Sequence, residues 1–192
     1  MLESVGIIEL TSVGIGYVVQ DAMLKAADVR LVLGRTICSG KYIIAVTGQV
    51  AAVTAAVENG LEAAPDGVID HCIIPRIHPT VFRALGGGVE LHVPHAGVDA
   101  EHPPKALGVV ETFSGVSVLE AADAAAKAAN VALFRIHMAM ALGGKGYMLM
   151  AGTVSDVQAS VAAAAEIVRR KGLLVSAVTI PGPSRELFSE YL

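Results

Sequence analysis

The chain has 192 residues, 54% of them hydrophobic but only 4% aromatic, with no Trp and a mean hydropathy of +0.61. A formal charge of −4, from 18 acidic against 14 basic residues, leaves no basic stripe for a phosphate backbone, and so few aromatics offer no stacking platform, which argues against nucleic-acid binding. The opening MLESVGIIEL lacks the charged start and apolar core of a signal peptide, and Glu, Lys, Gln or Gly interrupt every apolar run before membrane-spanning length, so a cytosolic protein with two reduced thiols, Cys38 and Cys72, is expected.

In chain order, VGIIEL (5–10) reads as a short strand, and residues 17–27 follow with Val19, Ala22, Met23 and Ala26 at helical spacing. VRLVLGRTI (29–37) and KYIIAVTG (41–48) read as two strands joined at a turn that carries Cys38. QVAAVTAAVENGLEAA (49–64) places Val50, Val53, Val57 and Leu61 on one helical face. GVIDHCIIPRI (67–77) is a fourth strand stopped by Pro75, and PTVFRAL (79–85) opens a short helix at Pro79. The order β-α-β-β-α-β is that of a ferredoxin-like split unit, an α+β arrangement.

The whole series then recurs. GIIEL (6–10) returns as GVVET (108–112) and DAMLKAADV (21–29) as DAAAKAANV (123–131), both at an offset of 102 residues. Gly40-Lys41 returns as Gly144-Lys145 at 104, and Ile74-Pro75 as Ile180-Pro181 at 106, so the drift is small and confined to turns. The chain therefore reads as a first domain over 1–88, an aperiodic Gly-, Pro- and His-rich linker over 89–104, and a second domain over 105–192.

Both copies resemble the bacterial microcompartment shell domain, in DAMLKAADV, the strand-loop-GK-strand run, the Gly before the next helix and the strand end IPRIH. The resemblance spans nearly all of the chain outside the linker. Two unpermuted domains are similar to the tandem shell proteins, and in particular to the iron-sulfur-carrying ones of propanediol-utilisation compartments. That similarity implies a homotrimer with the outline of a hexagon, a pseudohexameric tile in a protein shell within the cytoplasm, meeting other shell proteins at its edges and serving encapsulated redox enzymes.

It also implies a role for TICSGK. Cys38 falls on the position that holds an iron-sulfur cluster at the central pore, and a threefold axis would gather three thiolates for one shared cluster, a [4Fe-4S] cluster with one non-cysteine ligand or a three-iron cluster. Ile37, Ser39 and Gly40, with Leu142, Gly143 and Gly144 of the second copy, would line that pore. An open metabolite pore without a cluster is the alternative. Lys25, Lys127, Arg76 and His78 take tile-edge positions in the resemblance, although the second copy reads IPGPS (180–184) and lacks the Arg and the His.

Read on their own residues, the remaining motifs are plainer. Cys72 sits inside a strand and reads as packing. His92, His95 and His102 have loose spacing with no Cys or acid in register, so they read as solvated linker residues rather than a zinc site. GGKG (143–146) lacks the first Gly and the Ser/Thr of a phosphate loop, and no nucleophile-base set can be placed by spacing, so nothing marks the chain as an enzyme.

Overall fold

The computed structural model describes residues 4–87, 104–139 and 142–188; most of the expected linker, with His92, His95 and His102, lies outside them. The first domain comprises β1 (Ser4–Leu10), α1 (Val13–Ala26), β2 (Arg30–Ile37), β3 (Lys41–Gly48), α2 (Val50–Ala63) and β4 (Val68–Ile74), followed by α3 (Pro79–Gly87). The second comprises β5 (Ala106–Thr112), α4 (Gly115–Ala128), β6 (Ala132–His137), β7 (Gly146–Gly152), α5 (Val154–Arg170) and β8 (Leu174–Pro181). The sheets run β2-β3-β1-β4 and β6-β7-β5-β8, antiparallel at every pairing. This is the ferredoxin-like order, twice.

Helix α1 begins a turn earlier than the apolar spacing suggests because Ser12 caps it, its hydroxyl accepting the Ile15 N–H at 3.4 Å. Ser114 does the same for α4, accepting the Ser117 N–H at 2.8 Å. In both copies a glycine in the central strand lets a helix approach closely. A Cβ at Gly6 would fall 2.5 Å from the Val57 side chain, and one at Gly108 would fall 2.9 Å from Val157.

Side-chain alternation along the strands sorts two cores. Ile8, Leu10, Ile44 and Val46 face α1 and α2 and pack on Val19, Met23 and Val57. Val5, Ile7, Ile43, Ala45 and Cys72 face the other way, into a core shared with Val116, Leu119 and the rest of the second domain. Helix α4 is thus wedged between the first sheet and its own, and it joins the two domains.

Candidate functional site

Two places in the molecule carry chemistry: the paired loops at Cys38 and Leu142, and the seam between domains that sets those loops side by side.

Cys38–Gly40 forms a single tight turn between β2 and β3, with Ser39 at φ 65° and Gly40 at φ 71°. The second loop repeats it, with Gly143 at φ 61° and Gly144 at φ 88°. Two successive left-handed residues suit Gly-Gly; holding Ser in that conformation carries strain, which is the kind of cost retained at functional positions. Ser39, Gly40 and Leu142 are exposed and Cys38 is half-buried. Ile37 points elsewhere: it is 5% exposed and packs in the shared core, so it is not available to line an opening within the chain.

The two loops are physically joined. The Cys38 N–H donates to the Ala139 carbonyl at 2.9 Å, and Gly144 lies so near Lys41 that an added Cβ would come within 2.9 Å of its Nζ. Among the described residues no three His, Cys, Asp or Glu side chains gather as a metal site. A cluster therefore fits Cys38 only as one ligand among several supplied by different chains.

The seam is built on carboxylates. Glu9 is fully buried; its Oε1 accepts from Lys41 at 3.0 Å and its Oε2 from the backbone N–H groups of Gly115 at 2.8 Å and Val116 at 3.4 Å, which are orphan donors in the first turn of α4. A register shift of β1 against β4 falls directly after Glu9, a bulge of the sort that re-aims a side chain. Asp70, on β4 opposite Glu9, accepts the hydroxyls of Ser114 and Ser117, both at 2.5 Å, and the Lys171 ammonium at 3.1 Å. Burial alone would raise the Asp70 pKa, but the two hydroxyls and the nearby ammonium outweigh it and hold the carboxyl below its ordinary range. Burial likewise opposes the charge on Lys171, yet Glu120 at 2.6 Å and Asp70 push its pKa up. The Cys72 thiol beside them is driven well up, by burial first and then by Glu120, and is inert packing.

Lys127 pairs with Asp123 at 2.5 Å and donates to the Pro75 carbonyl across the seam at 3.3 Å, while Asp123 also accepts the His78 N–H at 2.7 Å. Lys25 pairs with Asp21 at 2.6 Å in the open, with 74% of its side chain accessible. Arg76 is exposed, at φ 48°, where the second copy has Gly182 at φ 55°. It borders a groove with Asp28, Arg30, Gly48 and Val50. The structure thus brings His78 and Lys127 together at one end of the seam and leaves Lys25 apart from them. Glu9, Asp70, Ser114, Ser117 and Lys171 escaped the sequence reading; a lone acid inside each apolar strand was their signal.

A duplicated ferredoxin-like domain, with a carboxylate-capped helix locking one copy onto the next, defines a module built to pack against its own kind. Residues 4–77 and 106–183 each match the family described as BMC domain. Over 190 residues the chain is 40% identical to the bacterial microcompartment shell protein PduT of Citrobacter freundii, covering 99% of this chain and 98% of that one. It superposes on the crystal structure of a microcompartments protein from Desulfitobacterium hafniense DCB with a TM-score of 0.79 and 40% identity, over 97% and 98% of the two chains. A fused permuted hexameric shell protein, MSM0275 of the RMM microcompartment, shares the fold with a TM-score of 0.62 at 22% identity, over 88% of this chain and 84% of that one. The chain belongs to the BMC-domain family. It is a tandem-domain microcompartment shell protein related to PduT, from a family of structural shell components rather than enzymes, and its place is the shell within the cytoplasm.

Proposed function

We propose that three chains close head to tail into a pseudohexagonal tile of the shell, and that their Cys38 loops surround the central axis and hold one shared iron-sulfur cluster, of the [4Fe-4S] type. The carrying observation is the bond from the Cys38 N–H to the Ala139 carbonyl, which sets the loop of one copy against the loop of the next at one end of the seam. Repeating that seam from chain to chain keeps every loop at the same end, around a common axis.

The chain's own part is to present one thiol per subunit on a turn pinned at its backbone, with a second loop, Leu142 to Gly144, that carries no thiol. Three thiolates leave one iron for a non-cysteine ligand. Such a group, when bound, supplies one-electron transfer, and its partners are redox enzymes enclosed by the shell. Lys25, Lys127, Arg76 and His78 face other shell proteins at the tile edges, where the exposed Arg76 suits donation to carbonyls.

The test is anaerobic purification with an iron and sulfide count and a visible spectrum. Wild type is expected to be coloured, with one cluster for every three chains, and Cys38→Ser colourless and still trimeric. A colourless, iron-free wild-type trimer defeats the cluster and leaves a tile with an open metabolite pore.

A further inference from the structure

The two copies differ at the entrance of their second helix. In the second copy Thr153 caps α5: its hydroxyl accepts the Asp156 N–H at 3.2 Å and donates to the Asp156 carboxylate at 2.7 Å. That helix therefore carries an anion of its own in its first turn. At the matching places α2 has Gln49, whose side chain makes no capping bond, and Ala52, and its first turn holds no acid. The Val53 N–H is taken by the Gln49 carbonyl at 2.9 Å, so the N–H groups of Val50, Ala51 and Ala52 are the orphan donors of this end.

A groove of about 700 Å³ opens at that helix entrance. Two exposed arginines border it, Arg30 from the first residue of β2 and Arg76 from the turn after β4. Ser4 and Thr47, both buried, also line it, and the Thr47 hydroxyl donates to the Ser4 carbonyl at 2.9 Å. Strand register identifies the counterparts in the second copy: Ser4 and Ala106 face Gly48 and Gly152, while Arg30 and Ala132 face Thr47 and Ala151. Arg76 answers to Gly182, at φ 48° and 55° respectively. Each of these four polar residues is thus Ala or Gly in the copy that supplies its own carboxylate. Holding an arginine in a left-handed conformation that glycine adopts freely carries a cost, the kind kept where the side chain is used. Asp28 lines the same groove, so two arginines against one aspartate leave a net positive charge, to which the helix end adds its partial charge.

The geometry points to a binding site for a phosphate monoester in the first domain, its phosphate held by Arg30 and Arg76 at the N-terminus of α2. Guanidinium forks and helix N–H donors are the groups that recognise phosphate oxygens. The groove is larger than a phosphate ion needs and has the size of a small-molecule site. Val29, Val50 and Pro75 give it an apolar wall for the organic part, and Val50 is 51% exposed. Asp28 accepts a hydroxyl or ammonium donor from that part and repels a second phosphate, so a monoester suits the groove better than a polyphosphate. The site lies wholly within the first domain and stands whether or not three chains close into a tile. A ligand seated there engages Arg76 from its own chain and competes for it with any neighbouring shell protein.

The test is calorimetric titration of the wild-type protein, at constant ionic strength, with glycerol phosphate, inorganic phosphate and acetate at millimolar concentrations. One ester is expected to bind per chain, inorganic phosphate more weakly, and acetate not measurably. Arg76→Gly, which places the second copy's residue at the left-handed position, and Arg30→Ala are each expected to weaken ester binding about tenfold or more, with a wild-type circular dichroism spectrum. Ala52→Asp transfers the second copy's carboxylate to the helix entrance; it is expected to abolish binding and to leave the melting temperature unchanged or higher. A wild type that binds no ester, acetate bound as tightly as the ester, or ester binding that survives both Arg76→Gly and Ala52→Asp overturns the site. Inorganic phosphate bound as tightly as the ester overturns the monoester and leaves a site for the free ion. None of these results bears on the tile, whose closure is read by light scattering.

Discussion

Helices α1 and α4 hold matching places in the two copies, fourteen residues each, begun by a capping serine and ended with the same Asp-x-x-x-Lys, yet their surroundings differ. In α4 nine residues are buried, including Ser117 and Asp123; in α1 only Gly16, Val19 and Met23 are. Intrinsic propensity favours the Ala-rich α4 over α1 with its Gly14 and Gly16, but propensity does not bury a face. The difference is that α4 has the first sheet against its second face, whereas among the described residues the matching face of α1, with Tyr17 and Val18, stays exposed.

The largest expected effect separates the carboxylates at matched strand positions. Asp70→Ala takes the acceptor from two buried hydroxyls and one of two carboxylate partners from Lys171, which keeps Glu120, and is expected to cost about 2–4 kcal/mol of folding stability in urea titration, whereas Ser176→Ala, its counterpart, is expected to cost about 0.5 kcal/mol. Equal losses would mean that the two positions are alike after all.

Next comes the pair Glu9 and Glu111, which hold matching positions in the two central strands. Glu9→Gln is expected to lower stability by about 2 kcal/mol, because it weakens two backbone bonds and strands Lys41. Glu111→Gln, at the matching position of the second sheet, loses only Lys145 and Ser176, both partly solvated, and is expected to cost about 0.5 kcal/mol or less. Thermal melts of the two variants decide between them.

The seam should also show a pH signature. The Asp70 pKa is lower in the folded chain, so its stabilisation is complete above the ordinary value of 3.8 and is lost as pH falls through the folded value. The Lys171 pKa is raised, so its share is complete below 10.5 and is lost as pH climbs through its folded value. The melting-temperature gap between wild type and Asp70→Asn is therefore expected to stay flat through the neutral range and to narrow below pH 3.8. A gap undiminished at pH 2 would remove the charge of Asp70 from the account. The smallest contrast is between the lysines: Lys127→Ala, which loses the Pro75 carbonyl, is expected to cost about 1 kcal/mol, and Lys25→Ala a few tenths, by the same melts.

Much of the fold was legible because the duplication let each weak signal be read twice. The strand at 5–10, the helix with Val53 and Val57 and the tight turns at Gly40 and Gly144 all follow from local spacing, and local spacing is what builds them. The start of α1 was misplaced by a turn because capping by Ser12 is a hydrogen-bond event with no apolar periodicity of its own. The candidate site was legible only where it is local. Cys38 on a left-handed turn could be read from Ser39-Gly40, while the burial of Ile37 could not, since that depends on the second domain filling the far face of the first sheet. Asp70 and Lys171 are a hundred residues apart in sequence, and no spacing rule joins them. The histidines of the linker remain outside the described residues.

Carrying both copies on one chain has a consequence for the order of assembly. The contact of Glu9 with Gly115 is intramolecular, so it forms at a local concentration fixed by the chain itself, and dilution cannot undo it. Any contact between separate chains depends instead on their concentration. The joint between the two copies is thus completed as each chain folds, whatever the supply of other chains, and every chain enters assembly as a pre-made pair.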